Sequence, residues 1–131
     1  MNVKAFFSII SISMLLFTGC TTQVAIDPQT GLEQSASYTA GYFYAPLDAS
    51  VSEIFRAAIR EMDDMGYFRT GERHGKESIK IYARKVGDQL VSVRIRSVMD
   101  GEGQTELRIR VGELGNLAES QVLYARIRDA L

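Results

Sequence analysis

Between Ser78 and Val111, apolar and polar residues alternate in three short segments. Ile79, Ile81 and Ala83 alternate with Lys80, Tyr82 and Arg84; Val91, Val93 and Ile95 alternate with Ser92, Arg94 and Arg96; Leu107, Ile109 and Val111 alternate with Arg108 and Arg110. A period of two puts one set of side chains on a buried face and the other in water. Val86-Gly87-Asp88 and Asp100-Gly101-Glu102-Gly103 separate the segments and predict hairpin loops. The stretch therefore predicts an antiparallel meander whose apolar face something must cover.

The flanking segments supply the cover. Tyr38 to Leu47 suits a strand whose pairing ends near Pro46. Ser50-Val51-Ser52-Glu53 fits a capping box, and Val51, Ile54, Phe55, Ala58, Ile59 and Met62 then form one helical stripe, with Phe55 and Ile59 expected over Ile81 and Val93. Gly66 is a natural stop, and Tyr67 to His74 predicts a further strand with Phe68 and Thr70 as inward candidates. A second helix starts at Asn116, with Glu119 three residues on; Leu117, Tyr124, Ile127 and Leu131 share one face, with Leu123 and Ala130 beside them. Two helices with apolar stripes and one sheet with one apolar face predict an α+β, two-layer sandwich. Its antiparallel sheet carries both helices on one face, in the order βαββββα over residues 38–131.

The first residues follow a different logic. Lys4 precedes a nearly continuous apolar run from Ala5 to Phe17, the length of a signal-peptide core and shorter than the roughly 20 residues of a membrane span. Phe17-Thr18-Gly19-Cys20 closes it and looks like a bacterial lipobox, with Phe17 where Leu is usual. Residues 1–19 read as a lipoprotein signal peptide and Cys20 as the acylated residue, holding the protein on the membrane through its acyl chains. An ordinary cleaved signal and an uncleaved anchor are the alternatives. Thr21 stands where an inner-membrane retention signal would have Asp. The expected location is thus the outer membrane, facing the periplasm, with the inner membrane left open. Residues 20–37 have no sustained period and carry Asp27-Pro28 and Gly31 as breakers, so they read as a flexible tether.

Composition narrows the chemistry. Net charge is −1, so no bulk field points to nucleic acid, and none is expected as a partner. The single Cys forms no intrachain disulfide and no Cys-based metal site. No metal or cofactor motif appears, and Gly112-Glu113-Leu114-Gly115 lacks the Lys of a phosphate loop and suits a sharp strand-to-helix turn. His74 has Glu72 as its nearest acid but no marked nucleophile, so no catalytic residue is assigned and a non-enzymatic protein is expected. Asp63-Asp64 ends the first helix against its dipole and reads as a solvated end or an acid pair for a partner.

The wet face of the meander is the most informative surface. Lys80, Arg84, Arg94, Arg96, Arg108 and Arg110 all point there by alternation, with Glu106 nearby. Cationic rows discourage edge pairing and aggregation. They also suit an anion-binding face for an acidic envelope polymer, phosphate-rich headgroups or an acidic partner protein.

Tyr42-Phe43-Tyr44, Leu47-Asp48-Ala49-Ser50, Arg110-Val111-Gly112 with Gly115, and a closing helix with Ser120 and Ile127 together resemble the small bacterial lipoproteins of domain-of-unknown-function family 3568. Leu114-Gly115-Asn116 stands where that family often has Phe-Gly-Asp. The resemblance implies envelope location and architecture and supplies no activity. Three readings of function follow: a binding or envelope-assembly module; a structural or stress-tolerance protein docking on a partner protein; and a hydrolase with an unrecognised site.

Overall fold

The computed structural model of the chain describes residues 21–24, 36–98 and 104–131. The signal segment 1–19, Cys20 and the Asp100–Gly103 loop lie outside the described residues. The elements run β1 (Thr22–Gln23), β2 (Ser37–Thr39), β3 (Tyr42–Leu47), α1 (Val51–Asp64), β4 (Phe68–His74), β5 (Ser78–Lys85), β6 (Gln89–Ser97), β7 (Thr105–Val111) and α2 (Leu117–Asp129). All strands form one antiparallel sheet in the order β1-β2-β3-β7-β6-β5-β4. Both helices cover one face, α1 over β4 to β6 and α2 over β3 and β7. The expected α+β sandwich is thus present, with its first strand folded into the β2–β3 hairpin.

The hairpin turns at Ala40 and Gly41, both at positive φ. The stretch expected as a free tether also contributes to the sheet. Thr22 and Gln23 pair with Tyr38 and Ser37, Ala36 is buried, and the Val24 amide donates to the Ala36 carbonyl at 3.3 Å. β-branched Thr22 suits a strand, and Val24 packs against the core.

The helix starts match their sequence signals. The Glu53 amide donates to Ser50 Oγ at 3.3 Å, and the Ser50 amide donates to Glu53 Oε2 at 3.0 Å, closing the capping box. The Glu119 amide donates to Asn116 Oδ1 at 3.1 Å. The core joins the inner faces of β3, β5, β6 and β7 to both helices: Phe43, Ile81, Val93, Ile95, Leu107 and Ile109 meet Ile54, Met62, Leu123 and Ile127. Tyr124 packs edge-on to Phe43, with ring centroids 5.4 Å apart, and its hydroxyl donates to the Pro46 carbonyl at 2.8 Å.

Three packing expectations change. On α1 the fully buried positions are Ile54, Ala57, Ala58 and Met62, while Phe55 and Ile59 are only half-buried. The two alanines let the helix sit close to the sheet, and Phe55 moves to the flank, where its ring meets that of His74 at 5.3 Å. Phe68 and Thr70 are exposed rather than inward, because β4 is the sheet edge and is exposed along its whole length, with a register shift between Arg69 and Gly71. Tyr67, just before β4, is buried instead. On α2 the buried face is Ser120, Gln121, Leu123, Tyr124 and Ile127, and Leu131 lies beyond the helix end, exposed.

The register places several connections at one end of the sheet. Thr22, where the chain enters, lies there beside the Ala40–Gly41 turn. The β5–β6 turn, the β7–α2 loop and the start of β4 lie at the same end. The C-terminus of α2 lies at the other, where Ala130 and Leu131 border Asp48 and Ala49.

Candidate functional site: a cationic row across the open sheet face

The face of the sheet away from the helices has no protein layer above it among the described residues. Alternation puts Lys80, Tyr82 and Arg84 of β5, Ser92, Arg94 and Arg96 of β6, and Glu106, Arg108 and Arg110 of β7 on that face, while their neighbours enter the core. The register then decides which of them meet. Arg73 is opposite Lys80, Lys80 opposite Arg94, and Arg94 opposite Arg108. Four cations on four adjacent strands therefore form one line perpendicular to the strands. With strands about 4.8 Å apart, the line runs about 14 Å. Tyr44 of β3 and Ser37 of β2 continue it beyond Arg108.

The six cations expected on this face do not act alike. Arg96 is paired with Glu106 at 3.2 Å, and Arg84 with Asp88 of the adjacent turn. Both are thereby neutralised in place. Arg94 has no ion-pair or hydrogen-bond partner among the described residues. Among the described residues Lys80 has only the ring of Tyr82, 6.0 Å away.

Arg108 and Arg110 are held by aromatic side chains. The Arg108 guanidinium carbon lies 3.7 Å from the centre of the Tyr42 ring and 5.6 Å from that of Tyr44. Arg110 lies 4.7 Å from the Tyr42 ring centre and donates to the Tyr42 hydroxyl at 3.0 Å. A guanidinium over a ring keeps its charge and loses freedom, so it meets an anion already oriented. Arg110, by hydrogen bond, and then Arg108 hold the Tyr42 phenol below its ordinary pKa, against the opposing effect of burial. Arg110 Nε is buried without a hydrogen-bond partner among the described residues. Beside it a shallow hollow of about 400 Å³ opens on the same face, lined by Tyr42, Tyr82, Leu90, Ser92, Arg110 and Glu113, among others.

Sequence reasoning missed Tyr42, Tyr44 and Arg73 as members of this surface. The two tyrosines alternate with Phe43 and Ala45, which marks them as outward, but only the pairing of β3 with β7 brings them to Arg108. Arg73 joins through the β4–β5 register, which the bulge near Arg69 offsets.

The other candidates lie elsewhere. His74 and Glu72 approach within 3.0 Å on the exposed edge strand, and the His74 ring packs on Phe55. Asp63 accepts from Arg69 Nε at 2.8 Å and from its terminal amine at 3.2 Å, so an intramolecular partner engages it. Arg60, four residues before Asp64 on α1, donates to the Ala130 carbonyl at 3.2 Å. Gly112 and Gly115 serve the strand-to-helix turn at positive φ. Among the described residues no group of His, Cys, Asp and Glu could hold a metal ion, and no helix is long and apolar enough to cross a membrane.

No curated protein matches the chain. A family model matches residues 4–130, nearly the whole length, and the chain belongs to that family, described as Protein of unknown function (DUF3568).

Proposed function

We propose that this protein is a lipoprotein, acylated at Cys20 and held in the outer membrane facing the periplasm, that binds an extended anionic envelope polymer on its open sheet face. The observation that carries the binding half is the unbroken line Arg73, Lys80, Arg94, Arg108. Like charges directly opposite each other on neighbouring strands destabilise a sheet. A face that served only solubility would intersperse acids, as Glu106 does beside Arg96. In this line no acid intervenes, and Arg108 is braced by two tyrosines. Charges repeating at strand spacing match a chain of carboxylates or phosphates laid across the strands. The anchoring half rests on the apolar run ending in Gly19-Cys20 and on the single Cys falling at that place. The reading is non-enzymatic.

Co-sedimentation of the protein with isolated envelope polymers tests it, at low and at moderate salt. The parent should sediment with polymer at low salt and release as salt rises. Arg94→Glu with Arg108→Glu should abolish binding while the fold persists. A double variant that binds like the parent, or a parent that binds nothing at low salt, would leave the row a solvated sheet surface. Binding that ignores salt would favour the second reading, docking on a partner protein. Metabolic labelling with a clickable fatty acid tests the anchor: Cys20→Ser should carry no label, and equal label on parent and variant would remove the lipoprotein reading.

A further inference from the structure

The end of the sheet at which the chain enters gathers exposed apolar side chains. Phe68, opening β4, is 73% exposed; Val86, in the β5–β6 turn, 91%; Leu90, opening β6, 48%; Leu114, in the β7–α2 loop, 90%. Of the seven large apolar side chains exposed among the described residues, these four share one end. Single exposed apolar residues are ordinary on any surface. Convergence from three separate connections, α1–β4, β5–β6 and β7–α2, on one end is a different pattern. A hollow lined by Gly87, Leu90, Gly112 and Leu114 joins two of these loops. Three nearby acids sit in ion pairs, Asp63 with Arg69, Asp88 with Arg84 and Glu119 with Lys85, while Glu113, beside Leu114, is exposed and has no ion pair among the described residues.

The geometry points to this end as a membrane-docking surface, with Phe68, Val86, Leu90 and Leu114 entering the lipid interface. This rests on the anchoring at Cys20 proposed above. The occupant follows from where the chain leads. Thr22 is already paired with Tyr38 at this end, so the folded body begins two residues after Cys20. Two residues reach at most about 7 Å. An acylated Cys20 would hold this end, and no other, against the bilayer. Apolar side chains that cost solubility in water then meet the boundary between headgroups and acyl chains, where they are favourable. The strands stand along the membrane normal, and the cationic line, four residues along β6 from Leu90 to Arg94, runs parallel to the surface about 13 Å above it. A polymer lying along the membrane would meet it side-on.

The chain has no Trp and one Cys, which makes the test direct. Coupling Cys20 of the chain that starts at this residue, 20–131, to a maleimide phospholipid in phosphatidylcholine vesicles holds the folded body at the surface whether or not a cell acylates it. Leu114→Trp and, separately, Val86→Trp should then emit at shorter wavelength and lose most of their emission to brominated phosphatidylcholine. Leu131→Trp, at the opposite end, should keep its emission. Absence of quenching in Leu114→Trp and Val86→Trp, or equal quenching in Leu131→Trp, overturns the proposal. Mass spectrometry of Cys20 from native envelopes reads the anchor separately. An unacylated Cys20 would remove the anchoring reading, whereas the vesicle result judges the docking end by itself.

Discussion

Gly41 and Gly115 press their backbones together. A Cβ on Gly115 would stand 2.3 Å from the Gly41 carbonyl oxygen, and one on Gly41 would stand 2.5 Å from the Leu114 carbonyl oxygen. Both residues have positive φ, +82° and +84°. This contact fastens the β2–β3 turn to the loop that carries Leu114, and so shapes the chain-entry end.

Gly115→Ala should therefore be severely destabilising. The substitution adds a left-handed backbone penalty to a clash with backbone that has no rotamer to yield, together about 2–4 kcal/mol. Gly66→Ala is the control. Its φ is also positive, at +77°, but its Cβ would meet nothing within 4 Å, so only the backbone penalty of about 1–2 kcal/mol applies. Urea denaturation of both variants checks this; equal losses would mean that the Gly41–Gly115 contact carries no weight.

The α1 face assignment makes a second contrast. Ile54 is fully buried and Ile54→Ala should cost about 2–5 kcal/mol. Phe55 is half-buried against His74, so Phe55→Ala should cost less, roughly 1–2 kcal/mol. Arg56, exposed, should tolerate Ala within about 0.5 kcal/mol. If Phe55→Ala proves costlier than Ile54→Ala, the helix is rotated from the position described.

The cationic line gives a stability prediction independent of any ligand. Arg94→Glu would place one acid between Lys80 and Arg108, turning two repulsive cross-strand pairs into attractive ones. At about 0.2–1 kcal/mol per pair, the variant should melt slightly above the parent at low salt, with the gain shrinking as salt rises. A lower melting temperature at low salt would contradict the cross-strand placement.

Tyr42 should be the first of the perturbed tyrosines to ionise. Hydrogen bonding to Arg110 and then Arg108 lowers its pKa from 10.0, whereas burial raises those of Tyr67 and Tyr124. A phenol whose folded pKa lies below its unfolded value binds fewer protons when folded. The resulting stability is fully present above about 10 and is lost as pH falls through the lowered folded value. Spectrophotometric titration of the phenolate band should lose its earliest step in Tyr42→Phe. An unchanged first step would place the lowered pKa elsewhere.

Much of the architecture is written in local pattern. Alternation over Ile79–Ala83, Val91–Ile95 and Leu107–Val111 determined three strands and the inward set, because a pleat has a period of two whatever surrounds it. Ser50 with Glu53, and Asn116 with Glu119, determined both helix starts, since a cap needs only its own first turn. The outward direction of Lys80, Arg94, Arg108 and Arg110 followed from the same alternation.

Tertiary structure alone decided which of these neighbours meet. Nothing local says that the last strand inserts beside β3, because that pairing depends on α1 carrying the chain across the sheet to its far edge. From it come Tyr42 and Tyr44 against Arg108 and Arg110. Phe68 and Phe55 lost their expected burial for the same reason: whether an apolar side chain is covered depends on where its strand falls in the sheet and how its helix is turned, and both are settled by the packing of the whole. The short strand Thr22–Gln23, with no periodicity to announce it, exists only because β2 offers it an open edge.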